Sequence, residues 1–593
     1  VTALLLLSPA LAQTYREPPE LAERVQAGNL PPVGERLPQT PLVVEPVERT
    51  GEYGGEWRMG YTGTSDANLF QLTIGYENLV RWNRDATEVV PNIAESVEVN
   101  DDATEYTFTL REGMKWSDGQ PFSADDIMFW YEDIFSNEML TPAPQSWMTS
   151  GGEPLVVEKV DDVTVVFRFR EPNGLFLQNL ATLSGAEVAM YPRHYFERFH
   201  ETYNPDIDAL VQEAGAADWA SFWGARVGTI WGAERWSDPE RPTLHAWRLS
   251  TPLNEGATRV VAERNPYYWK VDPEGNQLPY LDRVSFALAE DSEVLVLKAL
   301  NGEIDMQMRH ISALSNKALF FDNMEVGGYG FFEALPSSMN TSLVVLNLTH
   351  KDPVKREVFS NKDFRIGLSH AINRPEIIDT VYVSQGEAYQ AAPRPESEFY
   401  HEQLATQYTE YDLDKANEHL DRVLPERDAQ GFRLGPDGRR FTFAVETSAS
   451  EPPDELELIE NYWAEVGIDM QIRTQDRSLF DTRKTANLHD AVLSIGDAGL
   501  KDALLNPIWY LPYSHQSAYA IPWAEWYSPG GTLSEVAPQE PPAEVRRQME
   551  LFTQLAATAD EGEQTALMKQ ILDIAADQFY VIGVSLPGAG RLT

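Results

Sequence analysis

YENLVRWNRDATEVVPNIAESVEVNDDATEYTFTLREGMKWSDGQPFSADDIMFWYEDI, residues 76–134, carries the reading of the fold. Within it Tyr106, Phe108 and Leu110 fall on every second position, the period of a strand with one buried face. Ser123 then precedes an apolar run, and Asp126 stands three residues on, the spacing of a capping box. Phe122 and Ile127 flank that cap as a hydrophobic staple, and Asp125 and Asp126 suit the positive end of a helix. The helix so begun should bury Ile127, Trp130, Tyr131 and Ile134. Downstream, Val163, Val165, Phe167 and Phe169 repeat the strand alternation. Residues 76–189 therefore read as a β-rich segment.

Upstream, residues 13–50 carry seven prolines and read as an extended arm with one short helix near Leu21–Gln26. Toward the C-terminus the pattern changes to alternating helix and strand. Phe364, Leu368 and Ile372 share a helix face, and Asn373 with Glu376 caps a second helix. Asp412 or Asp414 opens another helix through Leu420 and Leu424. A strand at Phe441–Val445 follows a Pro-Asp-Gly turn. A helix with Leu456, Ile459, Trp463 and Val466 comes next, and Gly467 ends it before a strand at Ile468–Ile472. That order is α/β. Residues 543–577 read as a long amphipathic helical pair. The run Val581–Val584 is strand-like with nothing after it to pair with, so the chain reads as cut short there.

The composition narrows the function. The chain has 593 residues, 47 basic against 92 acidic side chains, and no cysteine. A net charge of −45 repels nucleic acid and anionic membranes. Without cysteine there is no disulfide framework, thiolate metal site or thiol nucleophile. The start, VTALLLLSPALAQT, reads as residue 1–12 remnants of a secretory signal, with Ala10-Leu11-Ala12 as the cleavage pattern. The expectation is an exported, periplasmic protein with no lipid anchor. Gly-x-Ser-x-Gly, a Walker loop and His-Glu-x-x-His are all absent, so no enzyme activity and no cofactor are expected. Asp272-Pro-Glu274-Gly-Asn276 has Arg283 where a calcium loop needs its bidentate Glu and reads as a turn. His194 and His200 are poorly spaced for a metal, and none is expected.

These segments together resemble family 5 of the extracellular solute-binding proteins, the dipeptide- and oligopeptide-binding receptors of ABC importers. Residues 76–134 carry the likeness most fully. VEKVDDVTVVFRFREPNGLFL (157–177), NPYYWKV (265–271), LKALNGEIDM (297–306), DFRIGLSHAINRPEII (363–378) and YWAEVGIDMQI (462–472) follow collinearly. The resemblance implies a two-lobed α/β periplasmic-binding-protein fold (type II, the large cluster), with an extra β-rich domain inserted in lobe I. On that mapping lobe I takes residues 13–75 and 190–338, the insert 76–189 and lobe II 339–577. Residues 578–593 begin a truncated return to lobe I. It further implies a monomer that engulfs a small oligomeric solute in the cleft and delivers it to the importer's permease subunits. GNLPPVGERLPQTPLVV with EYGGEWR is similar to a subgroup with unassigned or sugar-like ligands.

Peptide receptors of the family use an aspartate after a Trp-x-Gly turn for the ligand's α-ammonium. Asp497, after Ser494-Ile495-Gly496, takes the matching position, with Ser494 in place of the Trp. A turn-capping role is the competing reading. Beyond it run Trp509, Tyr510, Tyr513, Tyr519, Trp523, Trp526 and Tyr527, interleaved with Pro507, Pro512, Pro522 and Pro529. That proline density predicts a loop. Loop aromatics offer flat faces for a pyranose ring. Trp509, Tyr510, Trp523, Trp526 and Tyr527, with Trp231 and Trp236 from an earlier cluster, are the candidate ligand contacts. Packing is the competing role for all of them, and the expected one for Trp219, Trp223, Trp247 and Trp463. Oligosaccharide and oligopeptide both stand open as ligands. A secreted hydrolase of polysaccharide or peptide is the alternative from another class. A receptor that presents peptides to a signalling partner is a third.

Overall fold

The computed structural model describes residues 15–254, 256–448, 453–527, 536–588 and 591–592. The signal remnant at 1–12 and Pro529 lie outside them. By its internal contacts the chain forms two units. The first holds residues through Pro144, Leu155–Phe169 and Leu177–Gly330. The second holds Gln145–Pro154, Arg170–Phe176 and everything from Phe331 on.

In the first unit the alternation at Tyr106, Phe108 and Leu110 forms the strand Glu105–Leu110, with these three side chains buried. It pairs antiparallel with Ala94–Val99 on one side and Thr164–Arg168 on the other. Phe108 stands opposite Val165, and its ring meets Phe167 edge-on at 5.2 Å, the cross-strand contact that favours this register. The capping box is present. Ser123 Oγ accepts from the Asp125 amide at 3.3 Å, and Asp126 Oδ2 accepts from the Ser123 amide at 3.0 Å. Asp126 Oδ1 also accepts from the Arg193 amide. Burial pushes this carboxyl up to about 6. The helix Ala124–Phe129 continues as a π-helical turn over Trp130–Phe135. A second sheet orders Trp247–Thr251, Arg259–Arg264, Arg283–Leu288 and Glu56–Tyr61, the last pair parallel. Met59, Tyr61, Phe70, Ile74, Val260 and Phe286 make its core. The acidic turn near residue 272 is closed by its own hydrogen bonds: Asp272 accepts from the amides of Glu274 and Asn276 and from Tyr280 Oη.

The second unit is built on a five-stranded sheet in the order Asp469–Thr474, Thr442–Thr447, Ala491–Gly496, Asn340–Leu346, Ile582–Gly583. The first three strands are parallel. Thr442–Thr447, the helix Asp454–Glu465 and Asp469–Thr474 form the strand–helix–strand unit expected from the sequence. Gly467, at φ +81°, turns the chain out of that helix, a conformation a β-carbon would oppose. Trp463 is fully buried, and its indole N–H donates to the Leu368 carbonyl at 3.0 Å. Asn361 and Asn373 cap the helices Lys362–His370 and Arg374–Thr380.

Two expectations are corrected here. The run at 581–584 does have partners. Ile582–Gly583 adds antiparallel to Asn340–Leu346, and Ser585–Leu586 pairs with Glu387–Ala388, so these residues join the second unit. The proline-rich aromatic stretch is not all loop. Ile521–Tyr527 is a helix, with Pro522 at its second residue. Proline is tolerated there because a first-turn residue needs no amide donor.

Candidate functional site

The candidate site grows from the end of a central strand. Ala491–Gly496 stops at Gly496, where a β-carbon would crowd the neighbouring strand, 2.9 Å from Asn340 Cβ. Asp497 follows, and Ala498 takes the left-handed conformation at φ +59°. Gly499 closes the turn against the backbone, its amide donating to the Ser337 carbonyl and its carbonyl accepting from the Arg394 amide. Tyr510 Oη donates to the Ala498 carbonyl at 2.7 Å. The turn is thus held from both sides, and Asp497 projects from it as an exposed residue.

One oxygen of Asp497 is fixed. Trp509 Nε1 donates to Oδ1 at 2.6 Å, from a buried indole. The other, Oδ2, has a long 3.4 Å contact with Asn506 Nδ2. Asp502, nearby in the same segment, is half-buried. That burial, with the charge of Asp497 adding to it, raises its carboxyl above the usual range. The result is a solvent-facing carboxylate with a set orientation and one oxygen available to an external donor, which suits a hydroxyl or an ammonium group.

The predicted aromatics divide by environment. Tyr510 is fully buried and committed to the Ala498 carbonyl, a packing position rather than the ligand contact expected from sequence. Tyr519, also buried, stacks on Tyr580 at 5.0 Å, and Tyr513 meets Phe552 edge-on. Trp523 is buried on the inner side of its short helix. Tyr527 is half-buried, with its hydroxyl 2.9 Å from Thr553 Oγ1. Trp526, on the same helix, leaves 42% of its surface exposed. The first unit holds the other two. Trp231 is 44% exposed, whereas Trp236 is buried in the core against Phe70, at 5.8 Å. Trp219 and Trp223 are buried around His200, and Trp247 packs against the sheet core, as expected.

The structure therefore joins Asp497 with Trp509, and places Trp523, Trp526 and Tyr527 on one helix. It leaves Trp231 and Trp236 in the other unit with opposite exposures. Sequence reasoning missed Asn506 and the backing of the turn by Ser337 and Arg394. Their spacing carries no motif, and only the tertiary fold brings them to Asp497. Among the described residues no cluster of three or more His, Asp or Glu is arranged to hold a metal ion, and no helix is long and apolar enough to cross a membrane.

Comparison with known proteins agrees with this architecture. Residues 88–516 match the family described as bacterial extracellular solute-binding proteins, family 5 Middle. The periplasmic alpha-galactoside-binding protein of Rhizobium meliloti (strain 1021) is 26% identical over 97% of this chain and 83% of its own length. A solved oligopeptide-binding protein OppA superposes with a TM-score of 0.78 at 35% identity, covering 97% of this chain and 91% of that one. The periplasmic binding protein MelB of Agrobacterium fabrum C58, solved in complex with stachyose, superposes with a TM-score of 0.69 at 23% identity, over 97% and 86% of the two chains.

Proposed function

The chain belongs to family 5 of the bacterial extracellular solute-binding proteins, and from that premise we propose that it is the periplasmic receptor of an ABC importer with an oligosaccharide as its solute. Proteins of this family bind solutes rather than transform them, and the family match speaks for a receptor over a secreted hydrolase. On this reading the protein is exported, works as a monomer and hands its solute to permease subunits at the membrane.

The observation that carries the proposal is the Asp497–Trp509 pair. Its oriented, exposed carboxylate accepts a sugar hydroxyl, and the uncovered indole of Trp526 supplies a flat apolar face of the kind that stacks on a pyranose. The alpha-galactoside receptor and the stachyose complex among its relatives support the same ligand class. An oligopeptide is the second reading. The exposure of Asp497 favours it, since the same carboxylate suits an α-ammonium, and so does the solved relative named for oligopeptides.

A thermal-shift screen of the protein against defined oligosaccharides and short peptides separates them. A ligand at ~100 times its Kd stabilises by ~2.7 kcal/mol. We expect an oligosaccharide hit that Trp526→Ala and Asp497→Asn both abolish. A peptide hit that Asp497→Asn abolishes and Trp526→Ala leaves intact would transfer the function to the second reading. A hit insensitive to both would overturn the assignment of this site.

A further inference from the structure

In a chain carrying 92 acidic residues, an arginine has no shortage of carboxylates to pair with. One pocket in the first unit departs from that expectation. It offers about 40 Å³ of free space, partly open to solvent, and Arg235, Arg241 and Arg248 all line it, together with Trp236 and His245.

None of the three guanidinium groups has a carboxylate within ion-pair distance among the described residues. Arg235 is buried, donates to Gln71 Oε1 at 2.7 Å and lies 3.4 Å from His245 Nε2. Arg241 donates to the backbone carbonyls of Val227, at 2.8 Å, and Met190, at 3.3 Å. The half-buried Arg248 guanidinium makes neither a hydrogen bond nor an ion pair among the described residues. Its cross-strand neighbour Glu263 lies 3.9 Å from Arg283 instead. The acids around the pocket are otherwise engaged. Asp238 takes Tyr195 Oη at 2.5 Å and Arg226 at 3.1 Å, and Glu77 takes Lys270 at 2.8 Å. Glu187 acts on Arg235, and Asp238 on Arg241, through their charge.

The remaining polar groups add donors or stay neutral. Trp236 Nε1 is a buried donor with no acceptor among the described residues. Burial, reinforced by Arg235 and Arg241, holds the His245 imidazole well below its usual range, so it stays uncharged at neutral pH. Burial also pulls Arg235 down to about 9, with Arg241 repelling it, and pulls Arg241 to about 10. Buried cations that make no direct ion pair are costly, and an anion in contact with them would relieve that cost.

We propose that this pocket binds a small oxyanion, a phosphate or a carboxylate group, through Arg235, Arg241 and Arg248. The planar guanidinium fork matches both groups, and the orphaned indole N–H of Trp236 adds a neutral donor. The inference is independent of the solute assigned to Asp497, because every residue lining this pocket belongs to the first unit.

The test titrates the full chain with sodium phosphate and, separately, sodium acetate. Sodium chloride keeps the ionic strength constant, and both the melting temperature and tryptophan fluorescence are read. The expected result is a saturable rise in melting temperature with at least one oxyanion and none with chloride alone. A phosphate response assigns a phosphoryl or inorganic phosphate ligand, and an acetate response assigns a carboxylate. Arg248→Gln, which breaks no internal bond, should fold as the parent and weaken the oxyanion at least tenfold; Arg241→Gln should weaken it as well, with a loss of stability from the Val227 and Met190 carbonyls it leaves without a donor. Asp497→Asn should leave the response intact, which separates this site from the solute site. Shifts that follow ionic strength alone, or an Arg248→Gln variant that responds like the parent, would overturn the proposal.

Discussion

Lys270→Met is expected to destabilise the first unit by about 3–5 kcal/mol, the cost of stranding a buried charge. Lys270 Nζ sits 2.8 Å from Glu77 Oε2, with both side chains buried. Glu77 also accepts from Tyr268 Oη at 2.6 Å and from Asn92 Nδ2 at 2.9 Å. Burial pulls the Lys270 ammonium down to about 8 in spite of its partner. Burial pushes the Glu77 carboxyl the other way, yet Lys270, Arg81 and Tyr268 together hold it below the usual range. The methionine variant keeps the volume and removes the cation, so Glu77 is left ionised in a dry site. The double variant Glu77→Gln with Lys270→Met removes both charges and should recover part of the loss. Urea unfolding followed by tryptophan fluorescence measures both. A single variant within 1 kcal/mol of the parent, or a double no better than the single, would contradict the account.

Arg374→Met should cost the second unit about 4 kcal/mol, and Arg374→Lys nearly as much. The Arg374 guanidinium is fully buried, and among the described residues it pairs with no carboxylate. Burial alone pulls it down to about 9. Its donors go to the backbone. Nε and Nη2 reach the Gly583 carbonyl at 3.0 and 2.8 Å, Nη1 reaches the Ser369 carbonyl at 2.9 Å, and Nη2 also reaches Ser369 Oγ at 2.8 Å. Each buried carbonyl left without a donor costs about 1–3 kcal/mol. Lysine brings one compact charge and cannot fork to Gly583 and Ser369 together. This residue joins the helix Arg374–Thr380 to the C-terminal strand Ile582–Gly583, so the loss should appear in the second unit's unfolding transition. A lysine variant as stable as the parent would show that the fork is not what holds that strand.

The elements governed by local rules were legible in the sequence. The capping box at Ser123 and Asp126, the alternation at Tyr106 and Phe108, and the strand–helix–strand unit around Trp463 follow from spacing alone, and the structure forms each. Non-local features were not legible. The partner of Ile582–Gly583 lies far upstream at Asn340–Leu346, and the C-terminal run says nothing of it. Pro522 was read as a helix breaker because its position in the first turn shows only once the helix start is known. Trp231 and Trp236 stand five residues apart without helical or strand periodicity between them, so nothing in the sequence separates the exposed ring from the buried one.

The candidate site was legible in the same partial way. Asp497 is singled out only by its likeness to the family's turn, and its projection into solvent shows only once Gly496 and Gly499 are packed against Met339 and Ser337. That Trp509 would orient it depends on side-chain direction across a non-repetitive segment. The arginine-lined pocket left one trace, Arg235-Trp236 and Trp247-Arg248 as basic–aromatic pairs in an acidic chain, which carries meaning only when the fold brings them to one cavity.

The central claim is that this protein captures an oligomeric solute and releases it unchanged. Isothermal titration calorimetry with the best hit of the ligand screen, followed by chromatography of the recovered ligand, tests it most directly. The account predicts one ligand bound per chain and the same ligand returned intact after prolonged incubation. Cleavage products accumulating beyond one equivalent of protein would contradict it and make the protein an enzyme.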